Sequence, residues 1–427
     1  MDAGFPETIH TDAQSPSAGT TPARMLPRAS AAVASGERWD DVLDAVLGQL
    51  DVTRPDLAFL YASPRFTEHF PDVAQAAWEQ SGAMLMAGCS TTGPIANGFE
   101  AEDEPAMAMI ALELPGAILR PVRMTGALFE DQVSPEAMRE RLGIALDEVN
   151  GWALLGDRFQ YDAETMISQL SHAFPDRPIV GGMATPAARF QRRSWVFLNG
   201  SVYGDGGVGI AIGGDYDLLP VVSHGCEPIG ETWTITGARG EWIDSISNRP
   251  ALTLLGETLQ ILPSDMQLEA EGNLMVGFAA NEYQDAFARG DFLIRPISAV
   301  DWERGAIAVD AKPRVGQTIQ FHLLDAATAS LDLTLALSES RDRLQTSTPV
   351  AALIHASSAR GSIVFGSASH DAGEVERWYP GLPHAGMHSA GEIGPIRGRN
   401  ALLGLAVGMG IITRRSAAGK HSEISPP

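Results

Sequence analysis

Lysine is almost missing from this chain. Lys312 and Lys420 are the only two, and every other basic residue is an arginine. That leaves few residues for Schiff-base chemistry or for a lysine that cradles phosphate. Cysteine is equally scarce: Cys89 and Cys226 can build neither a disulfide framework nor a cysteine-based zinc centre. No window approaches the ~18 consecutive apolar residues of a membrane span. Positive charge is in deficit, with a formal net charge of −23, and this argues against a nucleic-acid backbone as partner. Asp2, Glu7 and Asp12 with no apolar run do not read as a secretory signal. The expectation is a cytoplasmic protein with no membrane or nucleic-acid partner and no metal centre.

What the chain does contain is core material, with 44 % hydrophobic residues among 427, enough for two or three structural units. Residues 1–36 are rich in Ser, Thr, Pro, Ala and Gly and read as a disordered leader. Trp39, Val42, Leu43, Val46, Leu47 and Leu50 recur at helical spacing and predict a helix within 37–53. Residues 414–427 read as a tail.

Between these ends one pattern recurs three times: strand, helix, strand, glycine-rich turn, strand. The first copy runs from Leu57–Tyr61 through a helix near Pro71–Gln80 to Gly88-Cys89-Ser90-Thr91-Thr92-Gly93 and a strand from Ala106. The second runs from Trp152–Leu155 through Asp162–Phe174 to Gly181–Thr185 and strands Ser194–Leu198 and Val208–Ile212. The third runs from Pro349–His355 through Asp371–Tyr379 to Gly386–Gly394 and Ala401–Ile412. The expected class is α/β (mixed α+β), with mixed sheets flanked by helices in two modules, 54–247 and 248–413, divided at Asn248-Arg249-Pro250. Strand material also lies at Leu274–Ala279, Phe292–Ile297, Ala306–Val309 and Gly316–Leu324. Residues 326–344 carry leucines at 331, 333, 335 and 337 that suit a helix or a strand; Asp325 as a cap favours the helix.

These segments resemble the FIST family. The N-terminal likeness rests on Pro55–Ala62, Gly88–Gly93, Val180-Gly181-Gly182, Asn199-Gly200 and His224–Gly230. The C-terminal likeness rests on Leu293–Ile297, Gly316–His322 and Ala390–Pro395. The resemblance implies a cytoplasmic sensory module that binds a small ligand, an amino acid being one proposal, and signals through a separate partner such as a histidine kinase, cyclase or chemotaxis protein. Some members resemble haem-dependent nitric-oxide sensors, so haem is a possible cofactor. Two departures stand out. Ser357-Ser358-Ala359-Arg360-Gly361 replaces a Cys-Asn-Gly-Arg-Gly motif, and Pro94 stands where a glutamate is common, so only Glu392 supplies that carboxylate.

Chemistry concentrates at the two glycine turns. Glycines let backbone approach a ligand, and hydroxyls and free N–H groups can bind carboxylate or phosphate, which makes Cys89, Ser90, Thr91, Thr92, His388 and Ser389 ligand-binding candidates. An ordinary tight turn with locally satisfied hydroxyls is the competing reading. Through the resemblance Arg360 and Glu392 join them, as partners for a carboxylate and an amine. Cys89 is also a candidate nucleophile, though no partner base is legible and a small buried cysteine is the simpler role. No Gly-x-Ser-x-Gly elbow exists, so no catalytic residue is assigned, and the resemblance implies ligand sensing rather than catalysis. Gly204–Gly209 matches a dinucleotide fingerprint, but strand-like Ile210-Ala211-Ile212 follows it instead of a helix. His384 and His388, extended, lie about 13 Å apart at roughly 3.3 Å per residue, too far to share an ion. For haem, His224, His355, His384 or His388 could each be axial, and the sequence does not choose.

Overall fold

The computed structural model describes residues 26–159, 162–187, 192–264, 267, 273–284, 286–288, 290–344 and 347–415; the leader before residue 26 and the tail after residue 415 lie outside the described residues. The class is α+β with mixed sheets, as the pattern implied. Three strand-helix-strand units form parallel pairs. Leu57–Ala62 pairs with Leu85–Ser90, Gly151–Gly156 with Ile179–Met183, and Thr348–Ser357 with His384–Ser389. Their near-continuous apolar runs fit strands buried on both faces, and the strands of the first two pairs are buried almost throughout.

The helices are set by local chemistry. Pro71 opens Phe70–Ser81 and Gly82, at φ 64°, ends it in the left-handed cap. Asp162 accepts from Thr165 N at 3.1 Å to cap Ala163–Ala173. The ambiguous segment is a helix, Ala326–Leu344, with Asp325 accepting from Thr328 N at 2.6 Å. Burial explains the ambiguity: Leu333 and Leu337 are buried while Leu331 and Leu335 are exposed. A strand would have put all four on one face; the i, i+4 split is helical.

Each unit's sheet is completed by antiparallel strands on one side and a borrowed hairpin on the other. Ala106–Glu113 with Arg28–Ser35, Gly207–Gly214 with Ala117–Met124, and Val407–Arg414 with Tyr216–Ser223 fill the first side. On the other side the units exchange hairpins cyclically. Pro94–Ala96 of the first unit pairs with His384–Ser389 of the third. Glu392–Ile396 of the third pairs with Ile179–Met183 of the second, and Val196–Leu198 of the second pairs with Leu85–Ser90 of the first. The chain is therefore a pseudo-threefold assembly of three six-stranded sheets. Gly88, Gly181 and Gly386 are its equivalent points, since a Cβ on any of them would collide with the carbonyl of Leu60, Leu154 or Ile354 on the neighbouring strand.

A six-stranded barrel is inserted in the third unit between Tyr216–Ser223 and Ala326–Leu344. Its strands run Cys226–Arg239, Thr318–Leu324, Leu274–Ala279, Phe292–Asp301, Ala306–Val309 and Trp242–Ile246, and pairing of the first with the last closes it. Ile229, Ile235, Ile243, Val276, Ile307 and Phe321 belong to its core. The division expected at residue 248 falls inside this barrel, between Trp242–Ile246 and the short strand Arg249–Pro250.

One expectation is corrected. Residues 28–35, assigned to an unstructured leader, form a strand whose eight residues pair with Ala106–Glu113. Its small Ala and Ser side chains gave no apolar signal, yet Ala31 and Ala32 are buried against the sheet. The rejected dinucleotide motif indeed precedes a strand, Gly207–Gly214. Asn199 and Gly200, both at positive φ, make the tight turn of a hairpin.

Candidate functional site

The two glycine turns meet, but their hydroxyls are committed to backbone. Thr91 Oγ1 donates to His388 O at 2.8 Å and accepts from Gly93 N at 3.1 Å. Ser389 repeats this in the third unit, donating to Gly391 O at 2.6 Å while accepting from Met183 N and Gly391 N. Ser90 Oγ donates to Thr185 O at 2.8 Å, and Thr92 N donates to Thr185 Oγ1 at 2.7 Å. These contacts stitch the exchanged hairpins together, so Ser90, Thr91 and Ser389 are buried joints. Cys89 is fully buried with its Sγ 3.0 Å from Met387 Sδ, and burial pushes its thiol well above the ordinary range. That is the opposite of an activated nucleophile.

Polar groups gather instead just beyond the ends of the third unit's parallel strands, where open α/β sheets bind ligands. Arg360 follows Thr348–Ser357 and is buried. Its Nε and Nη2 donate to Asp371 Oδ2 and Oδ1 at 2.7 and 2.8 Å, a two-pronged pair. Phe365 lies under the guanidinium, 5.1 Å from ring centre to Cζ. Asp371 stands in the first turn of His370–Trp378, where a negative charge suits the helix dipole. Burial works against its charge, but the Arg360 guanidinium outweighs this and holds the carboxyl well below the usual carboxylate range. Asp371 Oδ1 also lies 2.9 Å from His370 Nδ1, and His370 Nε2 lies 3.1 Å from Ser330 Oγ.

Arg360 Nη1 is left buried and without a partner among the described residues. Gly225, at φ 66°, faces it: a Cβ there would collide with Nη1 and would sit 2.9 Å from Ala329 Cβ. Glu392 opens the strand Glu392–Ile396 and is completely buried. Its Oε2 accepts from Ala406 N at 3.0 Å, while Oε1 has no partner among the described residues. Burial raises this carboxyl to about 8, against the pull of the Ala406 N–H and of Arg360 and Arg158. Beside it Leu405 is held at φ 56°, a left-handed backbone that a bulky residue seldom adopts.

His388 pairs with Glu100 at 2.8 Å, and Glu100 Oε1 accepts from Ala372 N at 2.7 Å. Burial disfavours the charged ring, but Glu100 overrides it and raises the imidazole. His388 thus braces the hairpin borrowed from the first unit. Of the sequence candidates, Arg360 and Glu392 come within electrostatic reach of one another, whereas Cys89, Ser90, Thr91 and Ser389 serve packing and strand exchange. Asp371, Arg158, Gly225, His370 and Ser330 were missed. Only Asp371 had a local signal, an acid at a helix start.

Haem does not fit three of the four axial candidates. His384 Nε2 accepts from Gly98 N at 2.8 Å, and its Nδ1 lies 2.9 Å from Leu382 O. His388 Nε2 is held by Glu100. His355 is buried edge-on to Tyr61, and burial lowers it to about 4. No group of three or more His, Cys, Asp or Glu residues able to hold a metal exists among the described residues, and no described helix is long and apolar enough to cross a membrane.

A FIST N domain model matches residues 56–249 and a FIST C domain model matches residues 251–395. An uncharacterised protein of Mycobacterium tuberculosis is 33 % identical over 360 residues, covering 84 % of this chain and 91 % of that protein. An uncharacterised protein of Mycobacterium bovis is 33 % identical over 361 residues, covering 84 % and 90 %. Among solved structures, phosphoribosylformylglycinamidine synthase II of Thermotoga maritima overlaps at 10 % identity with a TM-score of 0.19, covering 91 % of this chain and 72 % of that one, too poor a superposition to carry an argument.

Proposed function

The chain belongs to the FIST family, whose domains are associated with sensory and signal-transduction roles, and from that premise we propose that it is a cytoplasmic small-ligand sensor whose ligand bridges Arg360 and Glu392. One observation carries the reading: a buried cationic donor, Arg360 Nη1, and a buried carboxyl oxygen, Glu392 Oε1, lack partners among the described residues and lie close enough to influence one another. An unpartnered buried polar atom costs about 1–3 kcal/mol, more when charged, so its persistence calls for an occupant. A small zwitterion such as an amino acid satisfies both, its carboxylate on Arg360 and its ammonium on Glu392.

A broad groove of about 1400 Å3 lies elsewhere, lined by His172, Arg177, Arg343, Asn400 and other residues but by none of Arg360, Asp371 and Glu392. It exceeds the roughly 300–1,000 Å3 of small-ligand pockets, and it holds one orphaned donor, Arg177 Nε, with no orphaned acceptor beside it among the described residues. The ligand's effect would pass to a separate partner, a histidine kinase, cyclase or chemotaxis protein.

The test is thermal shift against an amino-acid panel. The expected result is stabilisation by at least one amino acid, lost in both Arg360→Met and Glu392→Gln. Stabilisation that survives both substitutions places the ligand elsewhere. Because an ammonium drives Glu392 from acid to carboxylate, binding releases a proton, and affinity rises with pH up to about 8.

A further inference from the structure

Beside the ligand-binding reading, two helices next to Arg360 hold a serine, a histidine and an aspartate in a line. We propose that Ser330, His370 and Asp371 form an acyl-accepting site that reacts with small esters bearing an apolar acyl group. The distances are those of a nucleophile, its base and the base's positioning residue: 3.1 Å from Ser330 Oγ to His370 Nε2, and 2.9 Å from His370 Nδ1 to Asp371 Oδ1. The three residues come from two elements, Ala326–Leu344 and the start of His370–Trp378.

Asp371 settles the imidazole's tautomer. Gripped by Arg360 through two hydrogen bonds, it remains a carboxylate and can only accept. Nδ1 therefore carries the proton, and Nε2 turns its lone pair to the Ser330 hydroxyl. His370 is fixed on two further sides. Phe365 stacks on its ring, centroids 3.6 Å apart and planes within 7°. Ser369, immediately before it, is held at φ 60° in the left-handed region, a strained backbone of the kind found at working sites.

The surroundings supply the other two requirements. A donor for the negative oxygen is Arg360 Nη1, without a partner among the described residues and packed against Gly225 beside Ala329, the residue before Ser330. An apolar surface for the acyl chain is Phe365, whose ring lies against His370. Ser330 and His370 are both partly exposed, so a small ester has access.

The step balances without a co-reactant. Ser330 Oγ bonds to the acyl carbon while its proton passes to His370 Nε2. The ester's C–O bond breaks, and the departing alkoxide takes that proton. Water then attacks the acyl-serine by the same route, releasing the acid and restoring the hydroxyl.

The experiment treats the full chain with a fluorophosphonate probe and locates the adduct by peptide mass spectrometry. The expected result is an adduct on Ser330, absent in Ser330→Ala and formed about 100-fold more slowly in His370→Ala. Asp371→Asn should slow labelling of Ser330 and Asp371→Glu should restore part of the rate, a rescue that a purely structural role would not show. No adduct on Ser330 in the wild type, or labelling at an unchanged rate in His370→Ala, overturns the proposal. Thermal shift by amino acids in Ser330→Ala is the separate readout: stabilisation there leaves the ligand-binding reading standing whatever the probe shows.

Discussion

Glu392→Gln probes the least comfortable group in the fold. The substitution keeps the side chain's shape and an oxygen for the Ala406 N–H, and removes only the ability to ionise. In the unfolded chain the carboxyl titrates near its ordinary 4.5, and in the fold near 8. Between those values the native state holds a proton that the unfolded state has released, so wild-type stability falls as pH rises. The slope is about 1.4 kcal/mol per pH unit, and the whole window amounts to roughly 5 kcal/mol. Other groups restrict where this can be read. Burial lowers His322 and His355 to about 4, so they cost stability as pH falls below about 6.5 and are neutral in both states well above it. His388, raised by Glu100 against its burial, contributes stability that is lost as pH rises through its folded value, equally in both proteins. Urea unfolding of wild type and variant between about pH 6.5 and pH 8 therefore isolates Glu392. The variant should gain about 2 kcal/mol on the wild type across that interval. A difference that stays flat would mean that Glu392 is not held as the acid, and the argument for a buried, unpartnered carboxyl fails with it.

Further outcomes follow from the same geometry. Arg360→Ala leaves Asp371 buried without its guanidinium and should cost about 3–5 kcal/mol in denaturant melts, with Arg360→Ala/Asp371→Ala recovering part of it; no recovery would show that the pair does not act as a unit. Gly386→Ala forces a methyl into the Ile354 carbonyl and should cost at least about 1–3 kcal/mol, measured by the same melts. Cys89 and Cys226 are buried, so maleimide should modify neither at an appreciable rate until urea unfolds the chain; fast native labelling of Cys89 would revive its reading as a nucleophile.

Much of the fold was legible because it is local. The helices after Asp162 and Asp325 announce themselves by their caps, and the parallel strands by unbroken apolar runs. What was hidden is non-local. Pro94–Ala96 finds its partner at Ala385–Met387, almost three hundred residues away, and no periodicity encodes that choice. Arg28–Ser35 was missed because alanine and serine fill a tight sheet without looking hydrophobic. The barrel was missed because each of its strands is ordinary and only the pairing of Cys226–Arg239 with Trp242–Ile246 closes it. The candidate site was half legible: Arg360 and Glu392 stand in recognisable strand-end segments, whereas Ser330 and His370 meet only because a helix that follows the barrel packs back on the third unit.

The pseudo-symmetry explains why a ligand site would sit at one of three similar strand ends. Pro94 and Glu392 hold equivalent places, each the first residue of an exchanged hairpin immediately after a glycine and three residues beyond a bridging hydroxyl, Thr91 or Ser389. In the first unit proline fills that place with no donor and no charge. In the third the same place carries a buried carboxyl, with Arg360 at the end of the adjoining strand. The repeated scaffold needs only the hydroxyl and the glycine, since both units use them to pass a strand to a neighbour. The charge is extra to that task, and it is costly where it stands. The barrel enters the chain at Cys226, one residue past the Gly225 that faces Arg360, so a group bonded to Arg360 would sit beside the junction between barrel and sheets. A sensor needs a link between occupancy and the position of a separate body, and of the three strand ends this is the one beside which the barrel is inserted.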